Sequence, residues 1–131
     1  MPFRLTAALA LTTAAIALSA CQSHRSAAPS TVGRAALPTM ERVAMAANAC
    51  WFKSGDKAFS TYKLAMELTS YSGRPRILAV PKHSPEGLPL LVVQAEGSPA
   101  RLDAFGPMMQ GPSAERIKHD VTRWAAGDKG C

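Results

Sequence analysis

The sequence predicts an α+β fold in which an N-terminal and a C-terminal helix cover a four-stranded antiparallel meander sheet, in the order α-β-β-β-β-α. Three observations support this fold class. Apolar residues recur at helical spacing near both ends of the folded region, four strand-like segments lie between them, and short turns join the neighbouring segments. Short turns favour antiparallel pairing, because parallel strands need a long crossover connection. With 131 residues, the chain has room for one domain behind an N-terminal accessory segment.

The first helix is predicted to follow Pro38, with Thr39 as its N-cap and Glu41 near the positive end of the helix dipole. Cys50 lies close to its end, and the Ser-Gly-Asp segment 54–56 stops it. One apolar face is predicted for this helix from helical spacing, formed by Met40, Val43, Ala44, Ala47 and Trp51.

Four strands are predicted next, from alternating apolar and polar residues or from β-branched centres. They comprise residues 62–68, 77–80, 90–96 and 101–105. The Gly-Ser-Pro turn at 97–99 joins the last two strands as a hairpin.

The last helix is predicted to begin at Ser113 as N-cap, with Glu115 in its first turn, and to end at Gly127. Its buried stripe is predicted to contain Ala114, Ile117, Val121, Trp124 and Ala125. The two helices therefore offer apolar faces to one side of the sheet.

The N-terminal segment is typical of a signal peptide. Arg4 precedes an uncharged apolar run over residues 5–20. A helix of that length covers about 24 Å, which is short of the ~30 Å hydrocarbon core of a bilayer. We therefore predict that residues 1–20 are a signal peptide and not a permanent membrane span.

The segment Leu18-Ser19-Ala20-Cys21 resembles the lipobox of bacterial lipoproteins, in which an apolar residue and two small residues precede a cysteine. The resemblance implies that Cys21 receives a diacylglyceryl group, that cleavage occurs just before it, and that the new amino terminus can be acylated. Gln22, not aspartate, follows the cysteine, and this resembles an outer-membrane address facing the periplasm. The alternative is an ordinary secretory signal with a cysteine at this place by chance.

Residues 21–38 are predicted to form the lipidated cysteine and a flexible tether, followed by the domain over 39–131. The tether is rich in small and polar residues, with prolines and a glycine, and its residues 22–38 would span up to about 60 Å when extended. As a whole, the chain resembles small envelope lipoproteins of Gram-negative bacteria.

Lipidation of Cys21 would account for an odd cysteine count. The chain has three cysteines, so Cys50 and Cys131 remain for a disulfide in an oxidising compartment. Across so long a loop, the chain-entropy model gives a stabilisation of about 4–5 kcal/mol. Neither cysteine has a His or Cys at a spacing that would complete a metal site, so we predict no metal.

The charge distribution predicts a weak attraction to anionic partners. The net charge of +6 falls to +5 when Arg4 leaves with the signal peptide. The basic residues are scattered along the chain, which suits anionic lipid head groups or acidic envelope polymers. Export from the cytoplasm argues against nucleic acid as a partner.

No catalytic constellation is apparent in the sequence. The histidines are His24 in the tether, His83 in a loop and His119 on the last helix, and the adjacent Asp120 points about 100° away from His119 on a helix. There is no phosphate-binding loop or metal-binding pair, and we predict no cofactor. Carboxylates on the predicted strands are expected on the solvent face and comprise Glu67, Glu96 and Asp103.

Two segments form a possible contact surface. The proline-rich loop 81–89 contains His83, and it is long for a hairpin loop. Segment 104–112 contains Phe105, Met108 and Met109, and methionine packs against partners without demanding one geometry. The alternative, which we favour for the methionines and Phe105, is that they close the open end of the core.

These observations favour a non-enzymatic envelope lipoprotein that is anchored to the membrane and contacts a partner protein or an envelope polymer. One alternative is a periplasmic inhibitor of the lysozyme-inhibitor type, although a basic inhibitor would be repelled by a basic enzyme. The other alternative is a hydrolase that acts on envelope polymers through His83 or His119.

Overall fold

The structure, a computed structural model, describes residues 30–131. The predicted signal peptide, Cys21 and the tether residues 22–29 lie outside the described residues. The elements, in chain order, are strand β1 (Ser30–Val32), helix α1 (Ala36–Ala47), a π-helical turn (Asn48–Phe52), strands β2 (Tyr62–Glu67), β3 (Arg76–Pro81), β4 (Leu91–Glu96) and β5 (Ala100–Phe105), a 3-10 turn (Pro107–Gln110), and helix α2 (Ala114–Ala126).

The predicted fold class is confirmed. Strands β2 to β5 form an antiparallel meander with one helix before it and one after it. The structure adds β1, which pairs antiparallel with β5 at the edge of the sheet, with Ser30 opposite Leu102 and Val32 opposite Ala100. These three residues fall within the predicted tether, because a segment of three is too short to show a period-2 pattern.

The start of α1 was predicted wrongly. Thr39 lies inside the helix and is fully buried, whereas the helix begins at Ala36. Pro38 is tolerated in the first turn, because N–H groups there have no partner within the helix. The amide of Ala36 donates to the Gly97 carbonyl at 2.9 Å, so the turn between β4 and β5 satisfies this helix end. Such a distant partner leaves no local signal in the sequence.

The core lies between α1 and one face of the sheet, and α2 packs mainly against α1. The end of α2 agrees with the sequence, since Gly127 has a left-handed backbone (φ 113°) directly after Ala126. The predicted side-chain cap from Ser113 is absent, and its carbonyl instead accepts from the Ile117 amide at 2.9 Å. Buried strand residues that face α1 are Ile77, Ala79, Leu91, Val93, Ala95, Leu102 and Ala104.

The π-helical turn that follows α1 contacts α2 and the segment after it, and we call this region the junction between the two helices. Cys50 and Cys131 form the predicted disulfide, with Cα atoms 5.2 Å apart and a sequence separation of 81. The indole of Trp51 stacks on Phe59 with centroids 4.7 Å apart, and its centroid lies 4.9 Å from that of Trp124. Both helices therefore contribute an aromatic ring to the same part of the core.

Asp120 is a buried carboxylate at this junction, and only 7% of the residue is exposed. Its Oδ2 accepts from Trp51 Nε1 at 2.9 Å, and its Oδ1 accepts from Arg123 Nη2 at 3.0 Å. Arg123 Nη1 also donates to Asp128 Oδ2 at 2.9 Å and to the Gly130 carbonyl at 2.7 Å. One arginine thus ties the buried carboxylate to the segment that carries Cys131.

Two carboxylates beside the junction have lowered pKa values. A hydrogen bond from the Gly130 amide, together with Arg123, holds the pKa of Asp128 below its usual value. Arg116 on α2 pairs with Asp56, and this hydrogen bond lowers the pKa of the Asp56 carboxyl. The segment after the π-helical turn is thereby attached to α2.

We expect Asp120→Ala to lower the free energy of unfolding by about 3 kcal/mol, because it leaves Trp51 Nε1 and Arg123 without their shared acceptor. Urea denaturation followed by far-UV circular dichroism measures this loss. The control is Asp103→Ala, which removes a carboxylate on β5, and a change within about 0.5 kcal/mol is expected there. Equal losses in the two variants would contradict the role assigned to Asp120.

Candidate contact surface

The two segments predicted to form a contact surface meet at one end of the sheet. The loop 82–90 connects β3 to β4, and segment 105–110 leaves β5 at that same end, because Phe105 lies opposite Val92 in the sheet. The Met108 amide donates to the Leu90 carbonyl at 2.9 Å and joins the two segments directly. We call loop 82–90 and segment 105–110 together the sheet-end surface.

Loop 82–90 is held at both ends and internally by backbone hydrogen bonds. The Lys82 amide donates to the Thr61 carbonyl at 3.0 Å, and the Leu90 amide donates to the Ala79 carbonyl at 2.9 Å. Within the loop, the Gly87 amide donates to the Ser84 carbonyl at 2.9 Å. Backbone hydrogen bonds therefore fix both ends of the loop and one turn within it.

Leu88 is the most exposed apolar residue of this loop, with 89% of its surface accessible. Its exposure is not visible in the sequence, because a leucine in a loop carries no pattern that distinguishes an outward from an inward side chain. His83, which was singled out, is also exposed. Within residues 30–131, His83 forms no side-chain hydrogen bond and no ion pair.

Phe105 lies on the sheet face opposite α1, with 38% of its surface exposed. The strand register aligns it with Val92, Leu78 and Ala65 in one row across four strands. Val92 is only 6% exposed. Phe105 therefore ends an apolar row that runs up to the sheet-end surface.

Met108 and Met109 are half-buried and pack against the core cluster. This position agrees with the interpretation that they close the open end of the core. Phe105 does not share that position, since it faces away from α1.

Gly106 makes the close approach of the two segments possible. Its φ is 115°, which side chains of L-residues rarely adopt, and an added Cβ would lie 2.6 Å from the Leu90 carbonyl oxygen. The Leu90 oxygen belongs to the backbone, so a side chain at position 106 would push the loop away.

The other polar residues considered from the sequence are dispersed. His119 is exposed, with Nδ1 3.9 Å from Asp120 Oδ1, but that carboxylate is already bonded to Trp51 and Arg123. His24 lies outside the described residues. No group of three or more His, Cys, Asp or Glu residues within 30–131 is placed to hold a metal ion.

The carboxylates on the strands lie on the face opposite α1, as alternation predicts. Glu96 pairs with Arg74 at 2.7 Å and also with Arg101, and Glu67 pairs with Arg76. These are exposed ion pairs, and exposed pairs contribute little to stability.

Comparison with known proteins gives no relative from which a function can be transferred: the chain matches no family model, no curated protein and no solved structure. Neither helix within residues 30–131 is long and apolar enough to cross a membrane.

We expect Gly106→Ala to destabilise the domain by about 2–4 kcal/mol, because alanine is strained at this φ and its Cβ meets the Leu90 carbonyl. The matched control is Gly111→Ala, five residues later, where φ is −102° and the nearest atom to an added Cβ lies 3.7 Å away. Urea denaturation of both variants gives the comparison. A control variant as unstable as Gly106→Ala would refute the steric explanation.

Proposed function

We propose that this protein is a membrane-anchored envelope lipoprotein that acts through contact with a partner protein or envelope polymer and not through catalysis. The lipobox resemblance at Leu18–Cys21 supports the anchor, and Gln22 supports an outer-membrane position facing the periplasm. The net positive charge supports a partner with an acidic surface.

The observation that carries the contact proposal is the exposure of Leu88 on an ordered loop. Burying a leucine side chain against a partner contributes about 1.5–3 kcal/mol relative to leaving it in water. Backbone hydrogen bonds fix both ends of loop 82–90 and prolines restrict its backbone, which lowers the conformational entropy lost on binding. Phe105, at the same end of the sheet, is a second exposed apolar side chain.

The reach of the anchor limits where the partner is located. Ser30 follows Cys21 by nine positions, so the connection extends at most about 30 Å. This is about half of the reach predicted from a tether that ended at Pro38. We propose that the domain works close to the membrane surface and contacts an envelope component there.

The two alternatives have weaker support. A hydrolase that uses His119 as a base would gain from a carboxylate that orients the imidazole, and the adjacent Asp120 carboxylate is already bonded to Trp51 and Arg123. An inhibitor of a basic enzyme would need an acidic surface, whereas this chain has a net charge of +6.

The proposal is tested by photo-crosslinking in cells that express the full chain. A photoreactive residue at Glu86, an exposed position of loop 82–90, is combined either with Leu88→Asp or with Tyr71→Asp. Tyr71 is a matched control, since it is a fully exposed large apolar residue in the turn between β2 and β3, at the other end of the sheet. We expect one envelope product whose yield falls at least about tenfold in Leu88→Asp, as for a residue that anchors an interface.

The yield of this crosslinked product should be unchanged in Tyr71→Asp. An equal yield in the two variants would contradict the assignment of the contact to the sheet-end surface. A cellular phenotype that is lost in His83→Ala or His119→Ala, while the crosslink and the fold persist, would favour the hydrolase.

A further inference from the structure

A cavity of about 250 Å³ lies between the C-terminal half of α1 and the segment that follows α2. It is larger than the roughly 150 Å³ that holds a benzene molecule in a protein interior, and smaller than the ~300 Å³ at which binding sites for drug-sized ligands begin. It involves no residue of the sheet-end surface. Its lining residues are Arg42, Met45, Ala46, Ala49, Gly127, Asp128 and Lys129.

One wall of the cavity is apolar and adaptable. Ala46 and Ala49 present methyl groups, and Met45 stands beside them with 76% of its surface exposed. A methionine at this degree of exposure can fold over a bound apolar group, because its side chain is unbranched and flexible. This wall suits a short alkyl chain.

The cavity is also lined by a positive charge, the half-buried guanidinium of Arg42. Its Nη2 donates to the Ala125 carbonyl at 2.8 Å and so satisfies one carbonyl at the end of α2. This is the one hydrogen bond of the Arg42 side chain within residues 30–131, and Arg42 forms no ion pair there. A half-buried charge without a counter-ion is costly, and a guanidinium is well matched to a carboxylate.

The other charged groups of the cavity do not neutralise Arg42. The Asp128 carboxylate accepts from Arg123 Nη1 at 2.9 Å and from the Gly130 amide at 2.8 Å. Lys129 is exposed and adds a second positive charge. The cavity therefore combines an apolar wall with a positive potential.

We infer that this cavity binds a carboxylate attached to a short apolar chain. The carboxylate pairs with Arg42, and the chain lies against Met45, Ala46 and Ala49. The absence of a side chain at Gly127 contributes, because a Cβ there would lie 3.3 Å from Arg42 Nη1 and crowd the carboxylate position.

The test uses the full chain carrying Cys21→Ser, which prevents acylation, with ¹³C-labelled methionine methyl groups. Hexanoate, hexan-1-ol and hexylamine have the same chain length and differ in the charge of the head group. We expect hexanoate to shift the Met45 methyl signal saturably and to bind at least about tenfold more tightly than the other two. The signal of Met66, which is exposed on β2, serves as an internal control and should not move.

Two variants separate the charge from the apolar wall. Arg42→Gln should weaken hexanoate binding about tenfold, whereas Lys118→Gln, which removes the same charge from an exposed position of α2, should not. Ala49→Trp leaves Arg42 in place and fills the cavity, so the saturable shift of Met45 should disappear. Equal affinities for the three ligands, no saturable shift with hexanoate, or unchanged hexanoate binding in Arg42→Gln or Ala49→Trp would overturn the inference.

Discussion

Two adjacent residues at the end of α1, Cys50 and Trp51, connect this helix to α2 and to the chain that follows it. Cys50 forms the disulfide with Cys131, and Trp51 donates to the buried carboxylate of Asp120. Both residues lie in the π-helical turn that follows α1, and both are buried. Because α2 packs mainly against α1 and less against the sheet, its position depends on this junction.

The spacing of apolar residues was sufficient to predict the meander and both helices. The number of cysteines that remain after Cys21 was sufficient to predict the disulfide. Sequence patterns failed where the deciding partner is distant or the segment is short. The start of α1 depends on the Gly97 carbonyl, and β1 is visible only through its pairing with β5. Asp120 lies on the buried face of α2 with Ile117 and Val121. A carboxylate at a buried helix position needs a hydrogen-bond donor, so this residue could have been predicted to have a buried partner.

The contact surface was predictable in part. Its two segments stood out by composition, but their meeting depends on the Met108–Leu90 hydrogen bond and on the space at Gly106. The exposure of Leu88 and the unpaired charge of Arg42 follow from tertiary structure alone. The proposed contact is compatible with this structure, because a loop held at both ends by backbone hydrogen bonds needs little reordering on binding.

The central claim, an anchored and disulfide-stapled domain, is tested most directly by intact-mass spectrometry of the protein extracted from membranes. The account predicts a chain that begins at Cys21, carries the mass of the attached lipid, and lacks two hydrogens because Cys50 and Cys131 are bonded. A chain that begins at another residue, or that carries no lipid mass, would contradict the anchor. Free thiols at Cys50 and Cys131 would contradict the disulfide.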